Sequence, residues 1–149
     1  MSGKEVLRVV SVHAKTHGHE QLRVLVVEDE LLIRWSIAET LANAGWVVTE
    51  AADAATALRV LLEADGSIDV VVLDYRLPDS NDLALLGRIR RLSPRSAVLM
   101  MTAFGTPEII EQALGLGVSR VIQKPFEMDD LEALIVAASA SRPTGAGPV

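Results

Sequence analysis

Five short runs rich in β-branched and aliphatic residues alternate strictly with five longer stretches of helical periodicity. The runs are Leu22 to Val27 (LRVLVV), Trp46 to Thr49 (WVVT), Asp69 to Leu73 (DVVVL), Ala97 to Met101 (AVLMM) and Val118 to Ile122 (VSRVI). At least three of them are almost wholly apolar, as parallel strands covered on both faces must be. Alternation of this kind predicts an α/β fold, a five-stranded parallel sheet with five helices on its two faces.

The helical stretches carry their own punctuation. Glu30 to Ala44 repeats Leu31, Ile37, Leu41 and Ala44 at helical spacing, and Gly45 follows as a stop. Asp53 is placed to cap a second helix reaching Ala64, with Leu58, Leu61 and Leu62 on one face. Asn81 or Asp82 opens a third, closed by Ser93-Pro94. Thr106-Pro107-Glu108 combines a cap, a first-turn proline and an acid at the positive end of a fourth. Met128 to Ala140 makes the fifth, with Asp129 and Asp130 favoured near its start by the helix dipole. Trp35 and Trp46 are expected to pack. Residues 1–21 read as an N-terminal extension, residues 22–140 as the domain, and residues 141–149 as a tail rich in Ser, Pro and Gly. The extension holds His13, His17 and His19, a spacing that can bind a transition metal but lacks a clear fourth ligand, so a solvated tail is the simpler reading.

Composition limits the chemistry. At 149 residues and 50% hydrophobic, the chain can bury the core of one domain without staples. It has no cysteine, which excludes disulfides, thiolate metal sites and a Cys nucleophile. No apolar run approaches the ~20 residues of a membrane span, and the N-terminus is too broken for a signal peptide, which points to a cytoplasmic protein away from membranes. The net charge is −6, and residues 22–140 hold 10 basic against 18 acidic residues. Such a domain repels phosphate backbones, and five aromatics give few platforms for bases, so direct nucleic-acid binding is not expected. A cation suits it better.

In a doubly wound sheet, ligands bind outside the carboxyl ends of the strands. Just past the proposed strands come Glu28 and Asp29, then Asp74, Thr102 and Lys124. Three close carboxylates cannot all stay ionised without a compensating cation. An all-oxygen donor set points to Mg²⁺ or Mn²⁺. With two acids neutralised, the third can act as a nucleophile towards phosphorus, while the Lys and Thr hold phosphoryl oxygens. Of three lysines against 11 arginines, Lys124 is the sole lysine in the core, which suggests a need for a compact ammonium.

Val26-Val27-Glu28-Asp29-Glu30, Val72-Leu73-Asp74-Tyr75-Arg76-Leu77-Pro78, Met101-Thr102-Ala103 and Gln123-Lys124-Pro125-Phe126 resemble the receiver domain of two-component response regulators, over about Leu22 to Ala140. The segments at Phe104 and Pro125-Phe126 look most similar to receivers of sigma-54-dependent regulators. The resemblance implies a flavodoxin-like sheet of order 2-1-3-4-5. It implies Asp74 as phosphoacceptor, Asp29 as a direct Mg²⁺ ligand, Glu28 as a ligand through water and the Arg76 carbonyl as a third. Lys124 would pair with the phosphoryl group and Thr102 would swing in to bind it. The donor would be a histidine kinase or histidine phosphotransfer protein. A downstream protein effector, or a second copy in a homodimer, would read the fourth helix, fifth strand and fifth helix. Ala103, Phe104, Ile109, Ile110, Leu114, Arg120, Val121 and Glu132 are the candidates for that switch and partner surface.

Two positions depart from the family pattern. Asp82 stands where a Gly in a positive-φ loop is common; Asn81 and Asp82 both tolerate that region better than most residues. Val121 replaces the usual Tyr or Phe of the switch, which transfers attention to the loop after Thr102 and to Phe104. The bulk of Arg76 and Phe104 predicts slow self-dephosphorylation. Other classes fit less well. A phosphatase of the haloacid dehalogenase type needs a second Asp where Arg76 stands, and a dinucleotide-binding domain needs a Gly-rich turn where Val27-Glu28-Asp29 stands. A pseudo-receiver that only docks keeps the fold and drops the chemistry; the intact acids, Thr and Lys argue against it. Nine residues beyond Ala140 cannot form an output domain, so a stand-alone receiver, or one detached from a longer regulator, is the expectation, and not a turnover enzyme.

Overall fold

The computed structural model describes residues 21–142, so the three histidines of the N-terminal extension lie outside it. The strands are β1 (Arg23–Val27), β2 (Val47–Ala51), β3 (Val70–Asp74), β4 (Ala97–Thr102) and β5 (Arg120–Gln123). The helices are α1 (Leu31–Asn43), α2 (Ala54–Ala64), α3 (Ala84–Leu92), α4 (Pro107–Gly115) and α5 (Met128–Ala140). All four strand pairings are parallel, in the order β2-β1-β3-β4-β5. Among the described residues, no helix is long and apolar enough to cross a membrane.

Side-chain alternation along the strands divides the core in two. Leu25, Val27, Val71, Leu73, Val98 and Met100 point to one face, where Ala57 and Leu61 of α2, Leu85 and Ile89 of α3 and Ala113 of α4 cover them. Val24, Val26, Val70, Val72, Leu99 and Met101 point to the other, under Ile37 and Leu41 of α1 and Leu131 and Ile135 of α5. Every residue of β3 and β4 is buried. Each large side chain so buried contributes about 1.5–3 kcal/mol before conformational entropy is charged.

Several local expectations change. Asp74 and Thr102 are the last residues of their strands and not the first beyond them, because Asp74 still pairs with Met101 and Thr102 with Gln123. Asp53 does cap α2, accepting from the Thr56 amide at 2.7 Å, but of its three leucines Leu62 lies 66% exposed and only Leu58 and Leu61 face the core. Neither Asn81 nor Asp82 has positive φ; that loop takes an ordinary backbone, and Asp82 instead accepts from the Ala84 amide at 3.0 Å. Among the described residues other than glycine, the one with positive φ is Asp65, just past α2. Trp46 packs against the second core cluster, whereas Trp35 is 55% exposed and packs against neither.

Candidate functional site

The parallel registry brings the strand ends to one rim. Val27 pairs with both Ala51 and Leu73, so Glu28 emerges beside Asp74, and the Glu28 amide extends the ladder by donating to the Ala51 carbonyl at 3.0 Å. The Lys124 amide likewise donates to the Thr102 carbonyl at 2.8 Å, which fixes the base of the lysine beside β4. Glu28, Asp29 and Asp74 each present an oxygen, all within 4.8 Å of one another. Glu28 and Asp74 are buried and Asp29 is open to solvent.

Among the described residues, one ammonium serves this cluster. Lys124 Nζ stands 2.8 Å from Glu28 Oε1 and 3.3 Å from Asp74 Oδ2. Burial, and then the neighbouring charge of Glu28, push Asp74 up to about 6, against the partial relief from Lys124 and the Arg76 amide. Burial works against the charge on Lys124, but its hydrogen bond to Glu28 and the nearby carboxylates outweigh this and raise its pKa above the usual lysine value. The cluster therefore carries more negative charge than its single lysine neutralises, and its donors are all oxygens. That is the demand a hard divalent cation meets.

Around this centre, Arg76 directs its amide at Asp74 Oδ1 at 3.4 Å, and Thr102 Oγ1 accepts from the Phe104 amide at 3.2 Å. Gly105 follows where a side chain would collide, since a Cβ there would lie 2.9 Å from Thr102 Cγ2. Ala103 and Phe104 are exposed, Phe104 by 77%. Leu114 and Arg120 are exposed and Ile110 is half-buried, while Ile109 and Val121 pack against the first core cluster.

Sequence reasoning missed two features. Arg34 of α1 donates from Nη1 to the Glu28 carbonyl at 2.9 Å and from Nε to Glu50 Oε1 at 3.0 Å, so it pins the acidic pair to the edge strand. A basic residue one helical turn beyond two acids was the available signal. Leu31, Leu32 and Trp35, exposed by 63%, 71% and 55%, form an apolar patch that starts two residues after Asp29. Periodicity had assigned Leu31 to the core, and no sequence signal marked the patch as outward-facing.

Residues 24–136 match the family model described as the response regulator receiver domain. The chain belongs to the response regulator receiver family. The receiver is 35% identical over 115 residues to the DNA-binding transcriptional regulator NtrC of Escherichia coli K12, covering 77% of this chain and 24% of that protein. To the transcriptional regulatory protein DltR of Streptococcus agalactiae it is 37% identical over 114 residues, covering 76% of this chain and 50% of DltR. The regulatory protein AtoC of E. coli K12 is a further relative at 32% identity, over 78% of this chain and 25% of AtoC, so NtrC and AtoC stand among the relatives as the narrower resemblance anticipated. The receiver thus spans a quarter to a half of the length of these relatives. Among solved structures, a CheY-like receiver domain protein from Methanospirillum hungatei JF-1 superposes with a TM-score of 0.76 at 26% identity, over 81% of this chain and 95% of that one. A receiver domain protein from Clostridium thermocellum gives 0.74 at 29%, over 80% and 94%. As a receiver, the chain is a signal-transduction module of two-component systems, a family in which Mg²⁺ and phosphoaspartate are typical.

Proposed function

We propose that residues 22–140 accept a phosphoryl group on Asp74 from a phosphohistidine donor and thereby switch a protein-binding surface. The observation that carries this is the placement of Asp74, buried at the end of the central strand with Lys124 on one side and a surplus of carboxylate on the other. An Asp74 oxygen attacks phosphorus, the P–N bond to the donor imidazole breaks, and its electron pair stays on the imidazole. Glu28, Asp29, Asp74 and the Arg76 carbonyl are the groups that would hold Mg²⁺, with Mn²⁺ as a substitute. When bound, the cation supplies the charge neutralisation that lets carboxylates and phosphoryl oxygens share the site. Lys124 stabilises one transferred oxygen, and the Thr102 hydroxyl, which only accepts a hydrogen bond here, has its proton left to donate to another. The protein promotes its own phosphorylation and hydrolysis and is not a turnover enzyme.

Two surfaces support the partner assignments. Leu31, Leu32 and Trp35 offer apolar contact to the donor protein beside the site mouth. Phe104, Ile110, Leu114 and Arg120, with Glu132 on α5, offer a second face to a protein effector or another copy of the chain. With Val121 packed against the core, the switch rests on the loop from Thr102 to Phe104. The deciding test is intact mass after acetyl phosphate or phosphoramidate treatment with Mg²⁺. An adduct on the wild type and none on Asp74→Asn is expected; an adduct that persists on Asp74→Asn, or none on either, overturns the assignment.

A further inference from the structure

We propose that Asp79 is a positioning residue: its carboxylate clamps the turn after β3 to the start of α2 and so fixes the direction of the Arg76 carbonyl. The inference rests on the assignment of that carbonyl to the cation site above. Leu77 and Ser80 pair across a tight turn, with Leu77 N donating to Ser80 O at 2.8 Å and Ser80 N to Leu77 O at 3.2 Å, which leaves Pro78 and Asp79 at the tip. From there Asp79 Oδ1 accepts from the Ala54 amide at 2.8 Å and Oδ2 from the Ala55 amide at 3.1 Å.

These are the first two amides of α2, which have no acceptor within the helix. Ala54 is buried with Asp79 in place, so Asp79 is the acceptor its amide uses in the folded chain. Asp53, the local cap, serves Thr56 instead. The helix therefore has one cap from its own sequence and a second from the loop that begins at Asp74. A carboxylate at the positive end of a helix makes this a charge-assisted clamp.

The loop needs it. On the Asp74 side, the ladder ends with the Tyr75 amide donating to the Met101 carbonyl at 2.9 Å, and beyond it the Arg76 amide reaches Asp74 Oδ1 only at 3.4 Å, long for a hydrogen bond. The turn residues Pro78, Asp79 and Ser80 also border an open cavity of about 410 Å³, which leaves them room to move. Leu77 anchors one end in the core. Asp79 anchors the tip, and because the N–H of the Arg76–Leu77 peptide donates to Ser80 O across that turn, the anchored turn sets the plane of the peptide that carries the Arg76 carbonyl.

The test compares Asp79→Ala, Asp79→Asn and Asp53→Ala by calorimetric Mg²⁺ titration and by amide exchange of Arg76 and Leu77 in chelator. Asp79→Ala is expected to weaken Mg²⁺ about tenfold, as loss of residues that orient a ligand does. It should also speed exchange at both amides. Asp79→Asn, which keeps one acceptor oxygen, recovers part of each effect. Asp53→Ala loosens the same helix, lowers thermal stability and leaves both readouts at wild-type values. Mg²⁺ affinity unchanged in Asp79→Ala, or weakened equally in Asp53→Ala, overturns the clamp while leaving the site assignment standing. Should Asp79→Ala not fold, wild-type affinity in Asp79→Asn has the same force. A wild type that binds no Mg²⁺ overturns the site assignment and this inference together.

Discussion

The Lys124 ammonium sits closer to Glu28, at 2.8 Å, than to Asp74, at 3.3 Å. Its charge is therefore committed first to the acid that stays put, and the acid assigned the chemistry is left undercompensated. Burial, and then the charge of Glu28, raise Asp74 to about 6, and Lys124 offsets only part of that.

The sign of the resulting pH dependence follows from linkage. Between the ordinary carboxylate value of 3.8 and about 6, folded Asp74 keeps a proton that the unfolded chain has released. Stability from this group is thus present below that window and lost as pH rises through it. Allowing for solvent screening, the loss amounts to about 1–2 kcal/mol. In chelator, thermal denaturation should show the wild type losing ground to Asp74→Asn by about 4–8 °C across the window. A constant difference between the two proteins would show that Asp74 titrates normally.

Among the described residues, Lys124 is the one cation paired with the two buried carboxylates, and Lys124→Met removes it. At neutral pH without divalent ions it should cost about 2–4 kcal/mol, because the charges left behind are costly. Saturating Mg²⁺ should recover much of the loss by binding the folded state. Denaturant titration with and without Mg²⁺ checks both statements, and a loss that ignores Mg²⁺ would assign Lys124 a purely packing role.

Gly105→Ala places a Cβ 2.9 Å from Thr102 Cγ2 and 3.4 Å from Ile110 Cδ1. Overpacking of this kind costs about 1–3 kcal/mol, and the displaced threonine should slow phosphorylation by small donors severalfold. Gly115→Ala is the control, since nothing lies within 4 Å of the new methyl. Equal rates in the two variants would detach Thr102 from the reaction.

Trp35→Ala should leave stability within about 0.5 kcal/mol of wild type, as expected for a surface side chain outside both cores. Its rate with acetyl phosphate should not change. The KM for a phosphohistidine protein donor should rise about fivefold or more, the mark of a lost interface anchor. If both donors behave alike, the patch on α1 serves some other contact.

The fold was legible because parallel strands buried on both faces must be apolar, and β3 and β4 are buried throughout. The second strand was legible only in part. It continues to Ala51, but exposed Glu50, held by Arg34 on the edge strand, broke the apolar run. The fifth begins at Arg120 and not Val118, because the chain is still turning at Gly117, whose φ is 98°. The acids, Thr102 and Lys124 could be found because strand ends in such a sheet converge. Asp79 could not. An aspartate beside a proline looks like a turn former, and its partners lie 24 and 25 residues away. Leu31 and Trp35 were assigned inward because hydrophobicity says that a side chain prefers to be covered, not by whom.

Two cores, one on each face of the sheet, leave the outer sides of α1 and α4 answerable to neither. Leu31, Leu32 and Trp35 on one, and Leu114 on the other, can be exchanged without touching a core residue or an acid of the rim. Duplicated copies of such a scaffold can therefore diverge in allegiance while inheriting the same chemistry. Many insulated signalling lines can coexist in one cell on that basis, each told apart by a few surface side chains.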